Sequence, residues 1–204
     1  MDGDAVLRAI VGLGNPGPKH AEDRHNAGFW FVDRIAAGAG EKFREESRFS
    51  GALCQASFAG HSLRLAKPST FMNRSGQCVR KLMDFYQLAP DSVLVVHDDV
   101  DLPLGSARFK LGGGHGGNNG LRDIIANCGA DFYRLRLGVG HPGQSVDVAD
   151  YVLHPPGRAE QSAIDYAAAE ALRALDIWFA QGFQRAVTYL HTATPRDAAP
   201  GPAG

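Results

Sequence analysis

His25 is the histidine whose place in the sequence best suits acid–base chemistry. It follows a turn, Gly14-Asn15-Pro16-Gly17-Pro18, and stands at the start of a predicted helix, near the carboxyl end of the first predicted strand. Open α/β sheets place their functional sites at that edge. Because the positive end of a helix disfavours an imidazolium, we expect a neutral ring that accepts a proton near neutral pH.

A group of carboxylates, in His97-Asp98-Asp99-Val100-Asp101, follows the most apolar predicted strand. One carboxylate there would orient a histidine base. Alternatively, Asp98, Asp99 and Asp101 would hold Mg²⁺, a hard cation that prefers oxygen ligands, or would be solvated charges at the end of a strand. Successive side chains leave a strand on opposite faces, so the three carboxylates do not all converge. We therefore favour one orienting aspartate over a metal site.

Three asparagines, Asn15, Asn73 and Asn119, each stand at or just before a predicted helix or turn. Singly, each is typical of a cap, because a short polar side chain bonds to free backbone groups there. Together, near one edge of the sheet, they would surround a carbonyl group with hydrogen-bond donors and acceptors. Phe71-Met72 adds an apolar pair beside Asn73.

A glycine-rich segment, residues 112–120, is either a flexible loop or a lid that lets a ligand approach the backbone closely.

A second glycine pattern, Gly12-Leu13-Gly14-Asn15-Pro16-Gly17, matches the dinucleotide-binding motif and raises a nucleotide-dependent oxidoreductase as a rival function. In that motif the helix starts within the glycines, whereas here Pro16 and Pro18 delay it, which argues against this rival. The sequence has neither a Gly-x-Ser-x-Gly elbow nor a His-Glu-x-x-His pair. Activated water is therefore the expected nucleophile, and we expect no metal and no other cofactor.

The elements that position these residues alternate between strands and helices. Strands are predicted over residues 8–13, 53–58, 63–66, 93–96, 108–111 and 133–139, and helices over residues 25–39, 75–87, 120–126 and 159–191, the last with a break at Gly182. This order predicts a single-domain mixed β-sheet covered by helices on both faces, an α/β/α sandwich. Residues 1–191 would form the domain, and residues 192–204, rich in Pro, Ala and Gly, a disordered tail.

Composition narrows the class of protein. The formal net charge of -1 argues against a protein that grips nucleic acid over its whole surface. A local patch carries the basic residues Arg108, Lys110, Arg122, Arg134 and Arg136. Three cysteines without a Cys-x-x-Cys pair indicate neither a disulfide framework nor a zinc site. No long apolar run or secretory signal is visible, so we expect a cytoplasmic protein.

Together these segments resemble bacterial peptidyl-tRNA hydrolase over nearly the whole chain. The resemblance rests on the following segments, in the same order: Gly12-Leu13-Gly14-Asn15-Pro16-Gly17, Arg24-His25-Asn26-Ala27-Gly28, Thr70-Phe71-Met72-Asn73, His97-Asp98-Asp99-Val100-Asp101, Lys110-Leu111-Gly112-Gly113-Gly114-His115-Gly116-Gly117, Asn119-Gly120 and Arg134-Leu135-Arg136. It implies hydrolysis of the ester that joins a nascent peptide to the 3′ end of tRNA. It also implies a monomer whose partner is peptidyl-tRNA rather than a membrane.

The resemblance assigns catalytic roles as well. His25 corresponds to the family's catalytic base and Asp98 to the carboxylate that stabilises its basic form. Asn15 falls where the family distinguishes N-blocked from free aminoacyl groups. Asn73 and Asn119 fall at substrate-contacting positions, where an amide donor would stabilise the charge that develops on the ester carbonyl.

Further positions match the parts of the family that hold tRNA. Phe71 falls at a substrate-contacting position, and Lys110 and Arg136 resemble a clamp on the tRNA 5′-phosphate. The chain departs from the family at two positions, because it has His20 where a tyrosine is usual and Asn118 where a histidine is usual. His20 can still stack on a base or a ribose.

One alternative belongs to a different functional class. A noncatalytic RNA-binding protein would use the same fold, as splicing factors related to the family do. The presence of His25, Asp98 and all three asparagines favours catalysis.

Overall fold

A seven-stranded mixed sheet forms the centre of the protein, in a computed structural model that describes residues 6–193. Its strands are β1 (Ala9–Gly12), β2 (Arg44–Glu46), β3 (Gly51–Phe58), β4 (His61–Pro68), β5 (Val93–Asp99), β6 (Ala107–Leu111) and β7 (Tyr133–Gly138). Their order across the sheet is β2-β3-β4-β1-β5-β7-β6. β4, β1, β5 and β7 are parallel, whereas β3 is antiparallel to β2 and β4, and β6 is antiparallel to β7.

Helices cover both faces of this sheet. They are α1 (Ala27–Gly38), α2 (Ser75–Tyr86), α3 (Asn119–Cys128), α4 (Val148–Val152), α5 (Arg158–Gln181) and α6 (Phe183–Thr192). One core joins the sheet to α1, α5 and α6, and a second core joins its other face to α2 and α3. The predicted α/β/α sandwich is therefore confirmed.

β5 shows why the sequence forms this architecture. Leu94 and Val96 lie in the core beneath α1 and α5, whereas Val93 and Val95 lie in the core beneath α2 and α3, and all four are 0% exposed. A strand that is apolar on both faces has to be covered on both sides. Its hydrogen-bonded neighbours, β1 and β7, are parallel to it and keep it inside the sheet.

Two short elements are absent from the prediction. β2 reads Arg-Glu-Glu and α4 has five residues, so neither has an apolar period long enough to recognise. The predicted break at Gly182 is confirmed, since α5 ends at Gln181 and α6 begins at Phe183. No helix in the described part of the chain is long and apolar enough to cross a membrane.

The predicted tail, residues 192–204, begins too early by one residue. Thr192 is the last residue of α6, where its hydroxyl donates to the backbone carbonyl of Thr188 (2.9 Å). Beyond residue 193, the predicted tail lies outside the described residues.

Candidate active site

The carboxyl ends of β1 and β5 bring the predicted catalytic residues together. The strands are adjacent and parallel, with Gly12 beside Val96, so the segments that follow them start from the same edge. A single 3-10 turn, Arg24–Asn26, precedes α1 and carries His25. Asp98 stands near the end of β5. Residues far apart in sequence therefore meet because two neighbouring strands end side by side.

His25 and Asp98 form a close pair. The Nδ1 atom of His25 lies 2.8 Å from Oδ1 and 2.9 Å from Oδ2 of Asp98. The two side chains are 12% and 4% exposed, so the pair is largely withdrawn from water. Because Nδ1 is held by the carboxylate, the ring presents Nε2 as the nitrogen that is available to accept a proton.

The surroundings of His25 act on its pKa in opposite directions. Burial lowers the pKa, but the charge of Asp98, the hydrogen bond to Asp98 and the charge of Asp23 raise it, and the net result is a raised pKa. The sequence predicts that a helix N-terminus disfavours the charged ring and keeps it neutral. That expectation is wrong, because the pKa is raised rather than lowered. The histidine lies in the 3-10 turn before α1, and the effects of Asp98 and Asp23 together outweigh that of burial.

Asn15 is fixed from two sides. Its backbone N–H donates to Asn26 Oδ1 (2.8 Å), and Asn26 Nδ2 donates to its carbonyl (3.0 Å). The backbone N–H of Met72 donates to Asn15 Oδ1 (2.8 Å). With its amide oxygen occupied in this way, Asn15 offers the Nδ2 donor to the cleft that it lines.

Asn118 is a site residue that sequence reasoning treated only as a departure from the family. Its Oδ1 caps α3 by accepting from the Leu121 N–H (3.0 Å), and its Nδ2 lies 3.3 Å from Asp98 Oδ1. One asparagine thus starts α3 and also supports the carboxylate that holds His25. The sequence predicts a cap at Asn119 instead, but Asn119 is the first residue of α3 and Asn118 is the cap.

A cleft of about 480 Å³ opens in front of these residues. Its polar lining includes the predicted residues Asn15, His25, Asn73, Asp98 and Asn119, and Phe71 adds an aromatic side chain that is 60% exposed. An apolar part of the lining comes from Val148, Ala149 and Val152 of α4, a helix that the sequence did not predict. Polar groups beside an apolar wall are typical of small-molecule and cofactor sites.

His20 lies outside the lining of this cleft. Its Nδ1 is 2.7 Å from Asp23 Oδ2, and its ring meets Phe71 edge to face, with centroids 6.4 Å apart. The contact with Phe71 connects His20 to the rim rather than to His25.

Lys110 and Arg136 also lie outside the cleft lining, on the antiparallel strands β6 and β7. Lys110 is exposed, and Arg136 Nε lies 2.7 Å from Asp99 Oδ2. Asp99 itself lines the cleft, so this ion pair connects the basic surface with the site.

Arg134 is not part of that basic surface, contrary to the predicted patch. The residue is 2% exposed, and its guanidinium donates to the backbone carbonyls of Gly113 and Gly114. It therefore holds the glycine-rich segment against the sheet. Gly116 and Gly117 of that segment line the cleft, so Arg134 supports a wall of the site.

The carboxylates at the end of β5 have separate partners rather than a common one. Asp98 pairs with His25, whereas Asp99 pairs with Arg136 and accepts from the backbone N–H of Asp101. Among residues 6–193, no group of three histidine, cysteine or acidic side chains is arranged to hold a metal ion.

Comparison with known proteins agrees with this geometry. The family model described as peptidyl-tRNA hydrolase matches residues 9–198. The chain is 50% identical to the peptidyl-tRNA hydrolase of Edwardsiella ictaluri over 188 residues, which cover 91% of this chain and 96% of the relative. It is 48% identical to that of Salmonella typhimurium over 189 residues, covering 92% and 97%.

A solved structure extends the comparison to the fold. The peptidyl-tRNA hydrolase from Acinetobacter baumannii is 41% identical and superposes with a TM-score of 0.90, covering 96% of this chain and 100% of the other. Family, relatives and fold agree over nearly the whole length. The chain therefore belongs to the peptidyl-tRNA hydrolase family.

Proposed function

We propose that this protein hydrolyses the ester bond of N-blocked peptidyl-tRNA and releases the peptide and free tRNA. The observation that carries the proposal is the buried pair of His25 and Asp98, which faces a cleft that Asn15 also lines. A histidine that a carboxylate holds in place is well suited to act as a general base. The relatives named as peptidyl-tRNA hydrolases supply the class of substrate.

In the proposed reaction, Nε2 of His25 takes a proton from water while the water oxygen bonds to the ester carbonyl carbon. The tetrahedral intermediate then breaks the bond between that carbon and the 3′ oxygen of the terminal ribose. The leaving oxygen takes the proton back from Nε2, so the enzyme is restored. Asp98 keeps the ring oriented and stabilises the imidazolium between the two steps.

Amide groups supply the polar contacts to the acyl part of the substrate. Asn15 offers Nδ2, and in our proposal this donor recognises the carbonyl that an N-blocked acyl group has and a free aminoacyl group lacks. Asn73 or Asn119, which both line the cleft, stabilises the charge that develops on the ester carbonyl. Phe71 is exposed enough to cover the substrate at the rim.

The basic surface serves tRNA in this proposal. Lys110 is exposed and Arg136 is partly exposed, on neighbouring strands outside the cleft, where they would hold the tRNA 5′-phosphate. His20 lies beside Phe71 and would stack on the end of the acceptor strand. Phosphate contacts of this kind position a nucleic acid without reading its sequence.

The proposed setting follows from the substrate. Peptidyl-tRNA arises during translation, so we place the activity in the cytoplasm. By resemblance to the family we propose a monomer that uses neither a metal nor another cofactor.

A hydrolysis assay tests the proposal. The protein should release N-acetylated amino acid from N-acetyl-aminoacyl-tRNA and leave unblocked aminoacyl-tRNA largely intact. A protein that binds both RNAs and cleaves neither would be the noncatalytic RNA-binding alternative. Equal cleavage of both substrates would reject the assigned specificity.

A further inference from the structure

The segment between β7 and α5, residues 139–157, carries the apolar wall of the cleft. That wall belongs to α4, a helix of five residues. Helices this short are not stable by themselves, because the cost of nucleation exceeds what a single turn returns. The position of α4 must therefore depend on contacts that it makes with the rest of the protein.

Arg24 supplies a concentrated set of those contacts. It stands directly before His25 in the same 3-10 turn, and its side chain is 7% exposed. Its Nη1 donates to the backbone carbonyls of Tyr151 (3.3 Å) and His154 (3.0 Å), and its Nη2 donates to Glu160 Oε2 (2.8 Å). The backbone N–H of Arg24 also donates to the carbonyl of His154 (3.2 Å).

Tyr151 extends the same network to both ends of the segment. Its ring lies under the Arg24 guanidinium, 4.0 Å from the guanidinium carbon, and its hydroxyl donates to the carbonyl of Val139 (3.1 Å). Glu160 Oε2 also accepts from the Gly157 N–H (2.6 Å). A single guanidinium thus connects the α4 backbone, the first turn of α5 and the turn that carries His25.

We propose that Arg24 is a positioning residue that fixes the apolar wall that α4 gives to the cleft of His25. The inference rests on the proposed function, in which this cleft receives the ester end of peptidyl-tRNA. Arg24 acts through α4 and does not touch the reacting atoms. Its planar fork suits two backbone carbonyls and a carboxylate at once, a task that a lysine ammonium does not reproduce.

The first test combines hydrogen exchange with kinetics on N-acetyl-aminoacyl-tRNA. In Arg24→Met, amides of residues 147–154 should exchange roughly tenfold faster or more, because hydrogen bonds to a charged donor are lost. Amides of β1 and β5 should exchange as in the wild type. KM should rise roughly tenfold while kcat changes less.

Arg34→Met is the matched control. Arg34 pairs with Asp165 of α5, so the variant also removes an arginine that joins the α1 region to α5. It should leave the exchange of residues 147–154 and the KM unchanged. Equal effects of the two substitutions, or unchanged exchange of residues 147–154 in Arg24→Met, would overturn the proposal.

Tyr151→Ala and Arg24→Lys keep the test decisive if Arg24→Met does not fold. Tyr151→Ala should raise KM by itself, and Arg24→Lys should then add little to it, because residues that act through one contact are not additive. Fully additive effects would contradict the proposal. If the wild type does not cleave the substrate, the proposed function fails, whereas the exchange data still decide whether Arg24 positions α4.

Discussion

Gly12 and Gly28 meet backbone to backbone where β1 ends and α1 begins. A Cβ on Gly12 would lie 2.2 Å from the carbonyl oxygen of Gly28, and a Cβ on Gly28 would lie 2.3 Å from the carbonyl oxygen of Val96. No side chain fits between these elements. The contact brings the first turn of α1 down onto β1 and β5, and with it the preceding turn that carries His25.

Gly28→Ala should destabilise the protein, because the added methyl group must displace backbone on two sides. We expect a loss of about 1–3 kcal/mol in the free energy of unfolding, or more if β1 and α1 separate. Urea denaturation measures it. Gly38→Ala in the same helix is the control, since a Cβ there meets nothing within 4 Å and should change stability by less than about 1 kcal/mol. Similar losses in the two variants would show that the contact is not tight.

His25→Ala should remove the general base and keep the substrate-binding surfaces. The expected loss in kcat is about a hundredfold to ten-thousandfold, with binding of N-acetyl-aminoacyl-tRNA nearly unchanged. Single-turnover hydrolysis and filter binding measure the two quantities. His61→Ala replaces a histidine that stacks on Phe179 away from the cleft and should keep full activity. Full activity of the His25 variant would remove His25 from the mechanism.

The pH profile of Asp98→Asn should separate the causes of the His25 pKa shift. A base works only when neutral, so kcat/KM of the wild type should fall as the pH drops through a His25 pKa above the ordinary value. Without the Asp98 charge, burial remains and lowers the pKa, so this fall should move to lower pH, and the maximal rate should also drop. Asp99→Asn should leave the fall in place. If the loss of kcat/KM in Asp98→Asn began at a higher pH instead, Asp98 would not be the group that raises the pKa of His25.

Salt dependence should distinguish Lys110, Arg134 and Arg136 on β6 and β7. Lys110→Ala and Arg136→Ala should each weaken tRNA binding and reduce the slope of log affinity against log salt by about 0.7–0.9, as expected for one lost phosphate contact. Arg134→Ala should leave the slope unchanged and instead destabilise the glycine-rich segment that it holds. An unchanged slope in Lys110→Ala would exclude Lys110 from the proposed clamp.

The helices and strands were predictable because the spacing of their apolar residues shows which face of each element is buried. β5 is apolar on both sides and proved central, and the break between α5 and α6 followed from Gly182, whose φ of 89° suits glycine. The meeting of His25 and Asp98 was predictable only from the edge where parallel strands end. The resemblance to the family, rather than periodicity, supplied the substrate.

Contacts between distant irregular segments were not predictable. The predicted basic patch includes Arg134 because a sequence shows which basic residues are close along the chain but not what covers them, and here the glycine-rich segment covers Arg134. The residues next to Arg24 in the sequence do not indicate its role, because its hydrogen-bond partners lie more than a hundred residues away along the chain. The raised pKa of His25 depends on the distance to Asp98, which no sequence pattern contains.

Stability should depend on pH through His191, whose ring forms a hydrogen bond with the backbone of the edge strand β6. Its Nε2 accepts from the Phe109 N–H (3.0 Å), a bond that only a ring without a proton at Nε2 can form. Burial and the charges of Arg108 and Arg136 lower its pKa in the folded protein. The stabilisation is therefore complete above the ordinary pKa of about 6.5 and is lost as the pH falls toward the lowered folded-state value. Urea denaturation across this range should show a smaller pH dependence for His191→Gln than for the wild type, and identical dependences would mean that the Phe109 contact does not hold the edge.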